Sequence, residues 1–289
     1  MARLGYVGLG IMGGPMARHL ATAKHSMTVY NRTTAKADAW VEQHGGARAL
    51  TPREVAQSSD VVLMCVGNDD DVRSVVFGAD GILAGLKTGG ILVDHTTASA
   101  TIAREIADAC AKQGCGFVDA PVSGGQAGAE NGQLTIMCGS NDPATFDAIE
   151  LIIAAYAKRS KLLGTAGSGQ LAKMVNQICI AGIAQGLSEA LNFAMRAGLN
   201  PDDVVDVISK GAAQSWQMEN RAKTMVRDEF EFGFAVEWMR KDLGICFDEA
   251  SRNGAQLPMT EMVDKFYEEV VAMGGKRWDT SSLIARLTD

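Results

Sequence analysis

The sequence lacks basic excess, clustered histidines and paired cysteines, and each shortage excludes a class of protein. Lys+Arg number 27 against 34 Asp+Glu, a formal net charge of -7, so the cationic footprint of a general nucleic-acid binder is missing. Four histidines (His19, His25, His44, His95) stand at spacings that match no ligand set, and no metal site is expected. The six cysteines (Cys65, Cys110, Cys115, Cys138, Cys179, Cys246) form no C-x-x-C pair, which argues against a zinc ribbon or a redox dithiol. Buried free thiols in a reducing cytoplasm are expected instead. No apolar run reads as long enough to span a bilayer. The first residues enter a glycine-punctuated strand without a cleavage-site pattern, so no signal peptide is expected. What remains, at 289 residues with 47% hydrophobic and 21% charged, is an ordinary globular composition with room for two domains.

Glycine is plentiful, at 32 residues, and three of them carry information through their setting. Gly8, Gly10 and Gly13 lie in Gly8-Leu9-Gly10-Ile11-Met12-Gly13, which closes a short apolar strand and opens a helical pattern. A G-x-G-x-x-G in that position is the dinucleotide-binding fingerprint. Its glycines permit a tight turn and let the backbone approach a pyrophosphate resting on helix N–H groups.

The following 150 residues alternate between two periods. Strands are read at Met27 to Tyr30, Val61 to Val66, Ile91 to Val93 and Phe117 to Val118, with more at Leu134 to Cys138 and Lys161 to Leu163. Helical stretches at Pro15 to Ala23, Thr33 to His44, Asp71 to Phe77 and Ala100 to Gln113 separate the earlier ones. Such alternation predicts a parallel, doubly wound α/β sheet of the Rossmann type. The glycine-rich stretch Gly164 to Gly169 breaks the pattern. Beyond it almost no strand signal is found. One long helix is read over Leu171 to Ala197, followed by helices at Pro201 to Lys210, Trp216 to Val226, Val236 to Asn253, Met259 to Met273 and Ser281 to Leu287. The expected organisation is a nucleotide-binding domain over residues 1–164 and an all-α domain over 165–289, joined by the long helix.

The second strand ends in Asn31-Arg32-Thr33, where the fingerprint for NAD would place a carboxylate. An Arg offers a planar fork of donors to a 2′-phosphate, and Asn31 and Thr33 add neutral hydrogen-bonding groups. The cofactor expected is NADP(H). A surface arginine at a strand end is the plainer alternative for Arg32. Two later segments bear on the reaction. Asp119-Ala-Pro-Val-Ser123-Gly124-Gly125 follows a strand and offers a hydroxyl and two unhindered backbone N–H groups, a neutral nest for a small carboxylate, or simply a turn. In Gly169-Gln-Leu-Ala-Lys173-Met-Val-Asn176-Gln177, Lys173, Asn176, Gln177 and Ile180 share a helix face. A part-buried Lys173 would have its pKa lowered towards the range useful for acid–base work; a solvated or snorkelling lysine is the alternative.

Taken together, these segments resemble the β-hydroxyacid dehydrogenase family, which includes 3-hydroxyisobutyrate dehydrogenase and tartronate semialdehyde reductase. The resemblance runs nearly end to end, through Gly8 to Gly13, Asp119 to Gly125, Gly169-x3-Lys173-x2-Asn176 and Lys241-Asp242. It implies that Ser123, Gly124 and Gly125 hold a substrate carboxylate, that Lys173 acts at the reacting hydroxyl and that Asn176 helps orient it. It further implies that Thr96 lies near the nicotinamide ribose, that Val66 and Asn68 approach the cofactor, and that Lys241 reaches back towards it. Where the family often has proline after the fourth strand, this chain has Val66-Gly67. Implied partners are a small carboxylate-bearing substrate and copies of the chain itself in a homodimer or homotetramer, with neither nucleic acid nor membrane. Imine reduction and a catalytically silent cofactor scaffold are the competing readings; Lys173 argues against both. Glu189 and His95 are read as structural, and Trp216, Trp238, Phe232 and Phe234 are left unassigned near the cleft.

Overall fold

The computed structural model describes residues 1–288, which fall into two compact units divided between Lys173 and Met174. The first unit runs through β1 (Arg3–Val7), α1 (Gly13–Thr22), β2 (Ser26–Tyr30), α2 (Thr34–His44), β3 (Ala47–Arg48), α3 (Pro52–Gln57), β4 (Val61–Met64), α4 (Asp69–Phe77) and α5 (Ile82–Gly85). It continues through β5 (Ile91–Asp94), α6 (Ala100–Lys112), β6 (Gly116–Asp119), β7 (Val122–Ser123), α7 (Gly125–Glu130), β8 (Leu134–Cys138), α8 (Pro143–Ile153) and β9 (Ala157–Leu162). The first six strands form one parallel sheet in the order β3-β2-β1-β4-β5-β6. That is the doubly wound order whose ligand crevice opens at the carboxyl ends of β1 and β4.

The continuous apolar runs become strands because both faces of the sheet are covered. Leu4, Tyr6, Leu63, Val93 and Val118 pack with Met16 and Leu20 on one face. Val7, Val62, Met64, Leu92 and Phe117 pack with Ile102 and Ile106 on the other. The period-2 alternation of strand side chains sorts neighbouring residues to opposite layers. A second, smaller sheet in the order β7-β8-β9 pairs β7 antiparallel and β9 parallel to β8.

The second unit is helical: most of α9 (Ser168–Arg196), then α10 (Pro201–Ile208), α11 (Trp216–Val226), α12 (Val236–Asn253) and α13 (Pro258–Ala272), two 3₁₀ turns (Gly275–Arg277, Thr280–Ile284) and α14 (Ala285–Thr288). Two clusters form its core. Ala181, Ala184, Met239, Leu243, Val263 and Tyr267 make one; Leu187, Leu191, Met218, Met225 and Phe230 make the other.

Several expectations need correction. The predicted strand over Val61 to Val66 stops at Met64, because Val66 turns to give its N–H to a side chain. The helix read at Asp71 starts at Asp69, since Asn68 caps it by accepting from Asp71 N at 2.9 Å. The final helix, Ser281 to Leu287, begins as a 3₁₀ turn whose first amide is held by Asp279. Cysteine burial is incomplete: Cys179 is exposed and Cys65 only half-buried. Cys179 lies on the outer side of α9, beside exposed Val175 and Ile183. The expectation that no segment is apolar enough to span a bilayer also fails by length and composition: α9, with 29 residues, is long and apolar enough to cross one. Small and apolar residues raise its mean hydropathy past scattered polar ones. Core helices meet the same criterion, and buried Gln177, Gln185 and Ser188 fit α9 to a packed role.

Candidate active site

At the end of β1 each fingerprint glycine has a different reason to be glycine. Gly8 has φ +95, and a Cβ there would strike the Cys65 carbonyl. At Gly13 a Cβ would strike the Gly8 carbonyl, so α1 packs hard against the strand end it leaves. Around Gly10, by contrast, nothing lies within 4 Å of where a Cβ would be. Two glycines are therefore needed by the fold, and the third leaves open backbone. This is the division expected of a pyrophosphate-binding turn. The side chain of Asn31 fixes the turn from β2, accepting from Leu9 N at 2.9 Å and donating to the Thr33 carbonyl at 3.1 Å. Ile11 is exposed and Met12 half-buried, at the mouth of the turn.

The neighbouring loops meet the same edge. Arg32 extends into solvent, its Nη1 donating to Asp71 Oδ1 at 3.0 Å, while Thr33 is the N-cap residue of α2. Thr96 is buried, and its hydroxyl accepts from Val66 N at 3.0 Å. Thr96 N in turn donates to Asp94 Oδ1 at 2.8 Å. Val66 and Thr96 are thus brought together, while the Asn68 side chain is used in capping α4. Asp94 is wholly buried, and its Oδ2 has no hydrogen-bond partner among the described residues. Burial pushes its carboxyl up to about 7. Beside it His95 is also buried. The Ala120 carbonyl can only accept, so Nδ1 carries the proton at 2.7 Å, and Nε2 accepts from the Tyr156 hydroxyl at 2.8 Å. Burial lowers His95 to about 4. Two satisfied ring nitrogens agree with the structural role read for it.

Asp119 ends β6, in register with Asp94 on β5. Its carboxylate receives Gly167 N at 2.7 Å and Gln170 N at 2.9 Å, at the start of α9. Burial nevertheless raises Asp119 to about 6, those amide bonds opposing the rise. Beyond it the chain forms β7, and Ser123 is followed by Gly124 (φ +133) and Gly125 (φ +60), conformations that expose backbone amides and suit glycine. Lys173 lies one turn into α9 and is 7% exposed. Asn176 follows one turn later, its Nδ2 donating to Gln177 Oε1 at 2.8 Å. In the helical unit Gln177 donates to Asp242 Oδ2 at 2.6 Å, and Lys241 Nζ lies 3.0 Å from Asp242 Oδ1. Glu189 is exposed and accepts from Gln185. Asp94, Gln170, Asp71 and Gln177 have no individual role in the sequence pattern; each is defined by a contact that only the fold brings together: Thr96 for Asp94, Thr96 and Ala98 for Gln170, Arg32 for Asp71 and Asp242 for Gln177. Among the described residues no three His, Cys, Asp or Glu side chains gather as a metal-ligand set.

Comparison with known proteins bears on this arrangement. Residues 3–167 match the NAD-binding domain of 6-phosphogluconate dehydrogenase, and residues 167–287 match the NAD-binding domain of NADP-dependent 3-hydroxyisobutyrate dehydrogenase. The chain belongs to the β-hydroxyacid dehydrogenase family. It is 61% identical to an oxidoreductase of Shewanella frigidimarina, over 99% of this chain and 98% of that one. With 2-hydroxy-3-oxopropionate reductase of Escherichia coli it shares 33% identity over 99% and 97%. Mycobacterium tuberculosis 3-hydroxyisobutyrate dehydrogenase, solved with L-serine, superposes with a TM-score of 0.90 at 28% identity, covering both chains completely. The family's two parts, an NAD(P)-binding Rossmann domain and a helical domain, coincide with the architecture described above. The protein is accordingly an NAD(P)-dependent hydroxyacid dehydrogenase, and the open backbone at Gly10 fits a nicotinamide dinucleotide.

Proposed function

We propose that this protein interconverts a small β-hydroxy acid and its semialdehyde with NADP(H), using Lys173 as general acid and base. The observation that carries the reading is a buried lysine one turn into a helix whose first amides are fixed by a buried carboxylate. A solvated lysine would have no such setting. The nicotinamide, when bound, supplies or accepts the hydride at its C4.

Around that exchange the chain's own residues have distinct tasks. Ser123 and the amides of Gly124 and Gly125 hold the substrate carboxylate. In reduction, charge builds on the carbonyl oxygen; Lys173 as an ammonium stabilises it and gives up a proton. In oxidation, neutral Lys173 takes the hydroxyl proton, and Asn176 orients the same oxygen. Gly8 to Gly13 receive the pyrophosphate, Asn31, Arg32 and Thr33 the adenosine end, and Val66, Asn68 and Thr96 the nicotinamide side; Lys241 is assigned to the cofactor by the family resemblance alone. Arg32 favours NADP(H), since no carboxylate stands at the end of β2 to repel a 2′-phosphate. The family model for the helical part, described for an NADP-dependent enzyme, supports that preference. Candidate substrates are 3-hydroxyisobutyrate, tartronate semialdehyde, succinic semialdehyde, 3-hydroxypropionate and serine. The exposed Val175, Cys179, Ile183 and Phe193 along α9 support assembly as a homodimer or homotetramer.

The test is Lys173→Ala assayed with that panel in both directions. Turnover is expected to fall by ~10² to 10⁴, with NADPH binding retained. Near-normal kcat removes Lys173 from the mechanism. Binding of NADPH by the wild type without turnover of any substrate would favour a cofactor scaffold.

A further inference from the structure

We propose that Gln170 and Asp119 are positioning residues that lock the first turn of α9 to the loop carrying Thr96, and so set where Lys173 presents its ammonium. The proposal rests on the reading of Lys173 and Thr96 given above.

Gln170 is 1% exposed, and both ends of its amide are used. Oε1 accepts from Ala98 N at 3.1 Å, and Nε2 donates to the Thr96 carbonyl at 2.7 Å. A Gln on the first turn of a helix usually faces solvent; here it replaces the missing backbone partners of the β5–α6 loop. Its own N–H is taken by Asp119 Oδ2, and Gly167 N by Asp119 Oδ1. One carboxylate thus satisfies two amides of the helix start, where a negative charge also meets the positive end of the helix dipole. The fit leaves no slack. A Cβ on Gly169 would lie 2.7 Å from the Asp119 carbonyl oxygen and 2.8 Å from Asp119 Oδ2. The turn before it, with Gly164 at φ +156 and Gly167 at φ +94, is likewise committed.

Lys173 follows Gln170 by three residues, so any tilt or slip of this turn moves its side chain. Thr96, fixed by Asp94 and Val66, sits at the other end of the Gln170 bridge. The bridge therefore sets the distance between the part of the site read as holding nicotinamide ribose and the group read as moving the proton. A displacement of about 1 Å in such a pair costs on the order of 10²-fold in rate.

The experiment compares Gln170→Met, which keeps the shape and loses both bonds, with Gln170→Glu, which keeps the acceptor and loses the donor to Thr96. Asp119→Asn is a third arm. Each is assayed with the fastest semialdehyde of the panel, using NADPH and NADPH deuterated at the transferred position. Kd for NADPH by fluorescence and amide exchange of the 167–174 segment in the free protein complete the set. The expected result for Gln170→Met is a 10- to 100-fold loss of kcat, in line with the cost of misplacement. A larger primary isotope effect, faster exchange in 167–174 and a Kd for NADPH within about 3-fold of wild type complete the expectation, the last because the Gly8 to Gly13 turn is untouched. Gln170→Glu, which sets a buried acceptor against the Thr96 carbonyl, is expected to lose at least as much as Gln170→Met. A merely structural role would lower the active fraction without raising the isotope effect, and that result overturns the proposal. So does unchanged kcat in both Gln170 variants. If Gln170→Met fails to fold, Gln170→Glu decides alone by the same two readouts. Full activity of Lys173→Ala, run alongside, overturns the reading of the site itself; loss in Lys173→Ala with no change in the Gln170 variants overturns only the positioning.

Discussion

The two ends of the proposed site in the first unit are built on opposite principles. The turn from Gly8 to Gly13 works through backbone: its open position, Gly10, has no atom nearby, Ile11 is exposed, and the Arg32 side chain is 86% exposed. The start of α9 works through buried side chains: Asp119 takes the Gly167 and Gln170 amides, the Gln170 side chain takes Thr96 and Ala98, and Lys173 is nearly covered. At the exposed positions of the first end, Gly10, Ile11 and Arg32, substitution should change affinity gradually, while Gly8 and Gly13 are held to glycine by the fold. An end built from buried polar groups has no spare partner, because an unmatched buried group costs about 1–3 kcal/mol. Rate should therefore be fragile at α9, and affinity adjustable at the glycine turn.

The largest effect belongs to Lys173→Arg. It keeps the charge, but a guanidinium does not give up its proton near neutral pH. A loss of kcat of at least ~10² is expected, with NADPH still bound in a fluorescence titration. Turnover close to wild type would show that charge alone suffices and would erase the contrast between the two ends. Next come the glycines. Gly13→Ala drives a methyl into the Gly8 carbonyl and is expected to cost about 1–3 kcal/mol of stability in urea unfolding. Gly10→Ala meets no protein atom, so its stability should stay within about 0.5 kcal/mol of wild type, while Kd for NADPH rises. Equal destabilisation by the two would mean that the turn is a packing device throughout, with no surface left for a ligand.

Asp94 extends the comparison to pH. The folded carboxyl titrates at about 7, against about 3.9 in an unfolded chain. Between those values the folded state holds a proton that the unfolded state has lost. The stability contributed by the neutral acid is therefore present in full below about pH 4 and is lost as pH rises through 7. Asp94→Asn removes this dependence, so its stability relative to wild type should improve from pH 5 to pH 8, by at most about 1.4 kcal/mol per pH unit. His95, lowered to about 4, acts in the opposite direction: stability is lost as pH falls from about 6.5. It is present in both proteins and cancels in the difference. Parallel pH curves for the two proteins would show that Asp94 is ionised and matched in the fold.

Much of this was legible in the residues. The order strand, glycine turn, helix announced a nucleotide-binding domain, and uninterrupted apolar runs such as Val61 to Met64 announced a sheet covered on both faces. What escaped were contacts that depend on register, several short elements and one full helix. Helix α8 was not read, although Asp142 before Pro143 is a capping signal and Asp142 does accept from Ala144 N. In α7 the glycines of Gly125-Gln-Ala-Gly masked a helical turn, and β3 has only two residues. The side chain of Gln170 could not be assigned from sequence, because its partners Thr96 and Ala98 lie more than 70 positions away in the chain.

The smallest expected effect tests the adjustable end. Arg32, read as the 2′-phosphate ligand, is already paired with Asp71 at 3.0 Å on the first turn of α4. A bound 2′-phosphate would compete with that carboxylate for one guanidinium and would also feel its charge. Asp71→Asn should therefore tighten NADPH binding. An exposed pair of this kind is worth about 0.2–1 kcal/mol, so a gain of at most ~5-fold in Kd is expected, shrinking as salt screens the pair. Kd for NADH, which lacks the phosphate, should not move. Titrations of both cofactors at low and high ionic strength decide the matter. A parallel change for NADH and NADPH would mean that Asp71 acts only through its charge on the first turn of α4. A change confined to NADPH and erased in Arg32→Asp would show cofactor choice being tuned by surface charge, at an end of the site where the buried apparatus of α9 has no part.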